Sequence, residues 1–257
     1  MRRLAAFAAA ASVMAATPGY AEKLVSSLST HQVMITSSFT GTELVLFGSV
    51  ERDAATVPRR GGYDLVVTVI GPRQTLVTRK KERIFGIWTN AASRTFVEAP
   101  TYLAVLSNRA LDQITSRENA QKLAIGIPNF PILQRAGMRA VPSLPDDTFR
   151  NALVRLRAAH GLYREEANAV TFLTPNLFRA SIQIPAEAPL GTYEVDIKLF
   201  ADGANLAQTT SALEIVKAGV EQYVANAARD HALLYGLITT LMALVTGWLA
   251  SVIFRRD

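Results

Sequence analysis

The densest polar cluster in this sequence is Arg79, Lys80, Lys81 and Arg83, followed closely by Trp88 and Asn90. In an extended strand, alternation puts Arg79, Lys81 and Arg83 on one face, a row of cations suited to an anion or to lipid headgroups. The commoner use of such a row is to shield an edge strand from sheet-to-sheet aggregation, and that is the plainer expectation here. Trp88 is expected to be a core or rim aromatic rather than a ligand platform. Asp146-Asp147 and Glu165-Glu166 are the only adjacent acid pairs that invite general acid/base chemistry. Adjacent side chains point in different directions, however, and Asp146-Asp147 fall in the first turn of a helix, where the macrodipole favours acids. A structural role is expected for both pairs.

Other chemistries find no support in the residue types. With no cysteine, a disulfide framework, a thiolate metal site and a thiol nucleophile are excluded. His31, His160 and His231 are too far apart in sequence to suggest a metal cluster. There is no Gly-x-Ser-x-Gly elbow, phosphate loop, dinucleotide fingerprint or metal-ligand helix pair. We therefore expect no enzyme, no cofactor and no catalytic residue.

The ends of the 257-residue chain say where such a protein sits. Arg2 and Arg3 precede an uncharged, Ala-rich run to Ala16, and Gly19-Tyr20-Ala21 has small residues at the −3 and −1 positions of a cleavage site. Residues 1–21 read as a secretory signal peptide. Ala232 to Phe254 carries no charge, is flanked by Asp230-His231 and Arg255-Arg256-Asp257, and is long enough to cross a bilayer. Tyr235 and Trp248 lie toward its two ends, and the terminal arginines sit where the positive-inside rule wants the cytoplasm. Both ends predict a single-pass inner-membrane protein with its body in the periplasm. Within the span, Ala243, Gly247 and Ser251 recur every four residues, forming a small-residue face on which a second helix could pack closely, either a partner's or another copy's. Frequent small residues are also ordinary in membrane helices. Between Glu22 and His231, 23 basic residues face 20 acidic ones, a net +3 against +6 for the whole chain. Nucleic acid is not an expected partner.

The body that must position these residues reads as mainly β. Apolar residues alternate at Tyr193, Val195, Ile197 and Leu199 and at Phe178, Ala180, Ile182 and Ile184, and with the Pro185–Pro189 segment between them the two stretches read as an antiparallel hairpin. A further strand is expected from Ala207 to Val216 after the Asp202-Gly203 turn. In the first half, strands are expected at Val33–Thr36, Leu44–Val50, Tyr63–Ile70, Leu76–Ile84, Thr95–Val97 and Tyr102–Ser107, with Leu65–Ile70 apolar on both faces as in a covered central strand. Thr115-Ser-Arg-Glu118 and Ser143-Leu-Pro-Asp146 open two helices, the second amphipathic through Phe149, Leu153 and Leu156 with Arg150, Arg155 and Arg157 turned away. The fold expected is an antiparallel β-sandwich, immunoglobulin-like in general architecture, with two inserted helices and one C-terminal transmembrane helix. Its plan is a sandwich at 22–110, a helical connection at 111–161, a second β-rich domain or a completion of the first at 162–217, a juxtamembrane helix at 218–231, the span at 232–254 and a cytoplasmic stub at 255–257.

The strings LSTHQVMITSSFTGTELVLFGSV at 28–50, YDLVVTVIGP at 63–72, RKKERIFGIWTN at 79–90 and YLAVLSNRA at 102–110 resemble the putative transmembrane protein family of alphaproteobacteria. The resemblance covers nearly the whole chain. It implies an inner-membrane protein facing the periplasm, brings no catalytic residues with it, and points to partnership with a permease similar to sulfite exporters. The expected function is a membrane-anchored binding or accessory module for another envelope component such as a transporter. The alternative is an anion- or solute-sensing module using the Arg79–Arg83 face.

Overall fold

The computed structural model describes residues 22–36, 39–52, 62–219, 224 and 227–253. The expected signal peptide, Phe254, the 255–257 stub and part of 218–231 lie outside these residues. One antiparallel sheet has the order β1-β3-β12-β11, built from β1 (Glu22–Leu28), β3 (Gly41–Arg52), β11 (Val170–Phe172) and β12 (Leu177–Pro185). The second has β10 (Tyr163–Ala167), β7 (Leu103–Ser107), β4 (Asp64–Ile70), β13 (Gly191–Ala201), β14 (Ala204–Lys217) and β2 (Gln32–Ile35), in that spatial order. Alternation explains the core that they share. Leu46, Phe178 and Ile182 of the first sheet and Leu65, Val67, Tyr193 and Ile197 of the second join one buried cluster.

The other face of β4 is covered as well. Val66, Val105 and Phe200 bury against Ile114, Ala120 and Ile125, which come from α1 (Leu111–Ile114), α2 (Arg117–Lys122) and the loop that follows. This is why Leu65–Ile70 is apolar on both faces. Three tyrosines close corners of the body. Tyr102, Tyr163 and Tyr193 donate their hydroxyls to the carbonyls of Gln183, Pro100 and Pro189, each at 2.7 Å. Burial pushes the Tyr163 phenol up to about 12 and raises the other two further.

The mainly β class is the one expected, but several details differ. The Phe178–Ile184 and Tyr193–Leu199 strands do not form a hairpin: β12 pairs with β3 and β11, whereas β13 pairs with β4 and β14. The Pro185–Pro189 segment instead carries the chain from one sheet to the other. Alternation reveals which face of a strand is buried and is silent about its neighbour, so both connections fit the same pattern. Nor is the second sheet purely antiparallel, since β10 runs parallel to β7 and β2 parallel to β14 at its two edges. Between the helices, inside the stretch 111–161 expected to be a helical connection, the hairpin β8 (Leu133–Ala136) and β9 (Arg139–Pro142) forms. The caps also shift. Ser116, not Thr115, caps α2 by accepting from the Asn119 amide, and Asp147, not Ser143, caps α3 (Thr148–Ala159) by accepting from the Phe149 and Arg150 amides. Thr115 and Ser143 are buried and donate instead to the carbonyls of Gly203 and Ile132.

A third sheet, ordered β5-β6-β8-β9, contains the longest hairpin, β5 (Arg73–Ile84) and β6 (Ile87–Pro100). Its ladder continues that of β4 and β7. The register runs from Val66 opposite Ser107 to Ile70 opposite Leu103, through Gly71 N–H to Tyr102 O (2.8 Å) and Thr101 N–H to Pro72 O (3.0 Å), and on to Gln74 opposite Ala99. The pair therefore leaves the second sheet as a two-stranded arm. At its base Phe96 is buried and pairs with β8, while Arg94 lies 5.4 Å above the Phe149 ring of α3. The last helix, α4 (Ala232–Ile253), has 22 residues of mean hydropathy 1.9. At about 1.5 Å per residue it is long enough to cross a membrane.

Candidate binding surfaces

The arm ends in a two-residue turn, Phe85-Gly86, with both residues at positive φ (49° and 85°), the geometry that matches the right-handed twist of paired strands. Asn, Asp or Gly is usual there, because a β-carbon is crowded in the left-handed region; a phenylalanine is not. The ring is fully exposed at 101%, and its neighbours Ile84, Ile87 and Trp88 are exposed at 46, 68 and 68%. Below this apolar tip, Arg79, Lys81 and Arg83 stand opposite Ser93, Asn90 and Trp88 on one face of the arm, all in solvent. Arg83 also donates from Nε to the Gly86 carbonyl at 3.1 Å, bracing the turn, and Lys80 pairs with Glu82 at 2.6 Å on the opposite face. The cationic row read from the sequence is thus formed, and β5 is an edge strand.

Trp88 is neither core nor rim. It is exposed, as are all the residues of β6 from Ile87 to Ser93, and among the described residues it pairs only across the arm, with Arg83. Ile84, Phe85 and Ile87 were not singled out in the sequence. The signal that could have found them is the pair of isoleucines flanking Phe-Gly, a hairpin turn whose first residue is aromatic.

Three of the four paired acids have contacts of their own. Asp147 caps α3, the Glu165 carboxylate accepts from the Ile127 amide at 3.1 Å, and Glu166 pairs with Arg164. Glu165 borders an open groove of about 680 Å³ together with Ser107, Leu111, Arg117, Gly126 and Asn129. His160 Nδ1 lies 2.9 Å from Glu187, far in sequence from His31 and His231. Among the described residues no group of three His, Asp or Glu could hold a metal ion. Two buried polar knots are structural in form. On β13, Lys198 and Gln208 both donate to Asp196. On α3, Arg150, expected to face outward, is 3% exposed and donates to the carbonyls of Ile127, Pro128 and Phe130. The side chain at the opposite end of that expectation is Leu156, which is 53% exposed.

In α4, Ala243, Gly247 and Ser251 share a face, and Ala232, Gly236 and Thr240 continue the same stripe toward the helix start, within an arc of about 100°. A β-carbon added at Gly236 or Gly247 would meet no atom within 4 Å. The hydroxyls of Thr239, Thr240 and Thr246 donate to carbonyls of their own helix, so they enter an apolar surrounding already satisfied.

A β-rich body joined to one helix able to cross a membrane defines a membrane-associated class of protein. The chain belongs to the family described as "Putative transmembrane protein (Alph_Pro_TM)", whose model matches residues 23–256. No curated protein matches it.

Proposed function

We propose that this protein is a tethered accessory module of the inner membrane, its body in the periplasm, which binds another component of the same bilayer, such as a transporter, and performs no chemistry itself. The observation that carries this reading is α4: among the described residues none buries it, and one face carries a stripe of small side chains. Lipid tails are as apolar as leucine, so helix association in a bilayer depends on close backbone approach, and small residues permit it. The orientation rests on the signal-peptide pattern at one end and Arg255-Arg256 at the other.

The test is crosslinking in intact membranes. Gly247→Leu should insert as well as the parent, since leucine is favourable in hydrocarbon, but lose crosslinked partner, while Leu244→Ile should behave like the parent. Products at the mass of a second copy would identify self-association as the use of this face. Equal crosslinking in all three proteins would reduce α4 to a plain anchor. Use of Arg79, Lys81 and Arg83 as a sensor for small soluble anions is less well supported, because the three lie exposed along an edge strand rather than in a pocket that would enclose a small ion.

A further inference from the structure

We infer that the β5–β6 arm is a second membrane contact, its tip entering the interface of an anionic bilayer. Three independent features support this. The first is composition. Phe85 and Trp88, with Ile84 and Ile87, form an uncovered apolar wedge, and aromatic rings of this kind favour the headgroup region. Directly behind it, Arg79, Lys81 and Arg83 form a cationic row at the depth where lipid phosphates would lie. The second is local conformation. A phenylalanine occupies a left-handed turn position that asparagine or glycine would fill with less strain, so folding alone does not account for the ring.

The third is topology. β13 is antiparallel to both β4 and β14, so these two strands run the same way, and Glu194 lies level with Ile70 on one side and Ala212 on the other. The arm therefore leaves the body at the end from which the chain departs for α4. Measured along the strands at about 3.3 Å per residue, the tip stands roughly 30 Å beyond Lys217. The fourteen residues from 218 to 231 between β14 and α4 can cover roughly 20 Å as helix and roughly 46 Å fully extended. The bilayer surface thus falls within the arm's reach, and contact at both α4 and the tip would fix the body's tilt where a lone tether leaves it free.

The full chain carries two tryptophans, so Trp248→Phe leaves Trp88 as the sole reporter. This protein is reconstituted alone into phosphatidylcholine vesicles with or without phosphatidylglycerol, containing lipids brominated in the acyl chains. Trp88 emission should be quenched roughly twofold in the anionic vesicles, with reduced access to iodide. Changing Arg79, Lys81 and Arg83 together to Gln should remove the dependence on phosphatidylglycerol. Phe85→Asn, which suits the turn's positive φ and so keeps the arm folded, should weaken the quenching. Unquenched, iodide-accessible Trp88 in both vesicles would overturn the inference. The same result combined with protection of Trp88 in native membranes would overturn it in favour of a protein partner for the arm. Because these vesicles contain no other protein, failure here leaves the α4 reading standing, and failure of the Gly247→Leu experiment leaves this one standing.

Discussion

Arg150 shows how one residue can reverse the face a helix presents. Its position on α3 follows the polar side of the helical period, yet its guanidinium points inward, where Nη2 reaches the carbonyls of Ile127, Pro128 and Phe130 and Nη1 lies 3.2 Å from Ser143 Oγ. Those carbonyls belong to the Pro-containing 3-10 turn Ile127–Asn129 and the residue after it, where Ile127 O also accepts from the Phe130 amide at 3.4 Å, and a planar fork of donors can serve several of them at once. A lysine ammonium has three donors, but on a shorter, flexible stem without the planar fork it does not span the carbonyls and Ser143 Oγ together. Arg150→Lys should therefore destabilise the protein by on the order of 2–3 kcal/mol despite keeping the charge, and Arg150→Met by at least as much. Unfolding of the full chain in mild detergent, followed by circular dichroism, measures this; a lysine variant as stable as the parent would mean that the charge alone matters. Periodicity could not show this inward turn, because it registers polarity and not the carbonyls that need a donor.

At the scale of elements, β3 is the strand through which the first sheet is held together, with β1 on one side and β12 on the other. Gly48 lies at its centre. A β-carbon there would come within 2.2 Å of the buried Phe178 ring and 2.6 Å of the Val25 carbonyl. Gly48→Ala should cost about 1–3 kcal/mol through overpacking, read as a lower thermal midpoint with the strand content of the folded state unchanged. An unchanged midpoint would show that the Phe178 ring and the β1 backbone at Val25 can both shift at little cost. The β5–β6 arm illustrates the opposite situation. Its outgoing strand was visible as Leu76–Ile84, but only Thr95–Val97 of the return strand was, because Ile87–Ser93 is bare on both faces and so has no alternation to display.

For the whole molecule, the proposed orientation makes a definite statement about the two ends of α4. An alkaline phosphatase reporter fused after Lys217 should be active, since the enzyme matures only outside the cytoplasm, and one fused after Asp257 should be inactive. The reverse pattern would overturn the periplasmic placement of the body.

What the sequence determined by itself was whatever depends on composition along a continuous stretch. The span is legible because 22 successive residues must each tolerate hydrocarbon, and the central strand because both of its faces are buried. The row of Arg79, Lys81 and Arg83 was legible because side chains alternate in any strand. The tertiary structure alone decided what depends on neighbours distant in the chain: that β12 and β13 part to different sheets, that Arg150 turns inward, and that Trp88 is exposed on the arm. It also decided that the arm prolongs the β4–β7 ladder and so shares an exit with the tether. A local pattern specifies which face is buried, whereas the partner that buries it, or its lack, is set by how remote segments pack together.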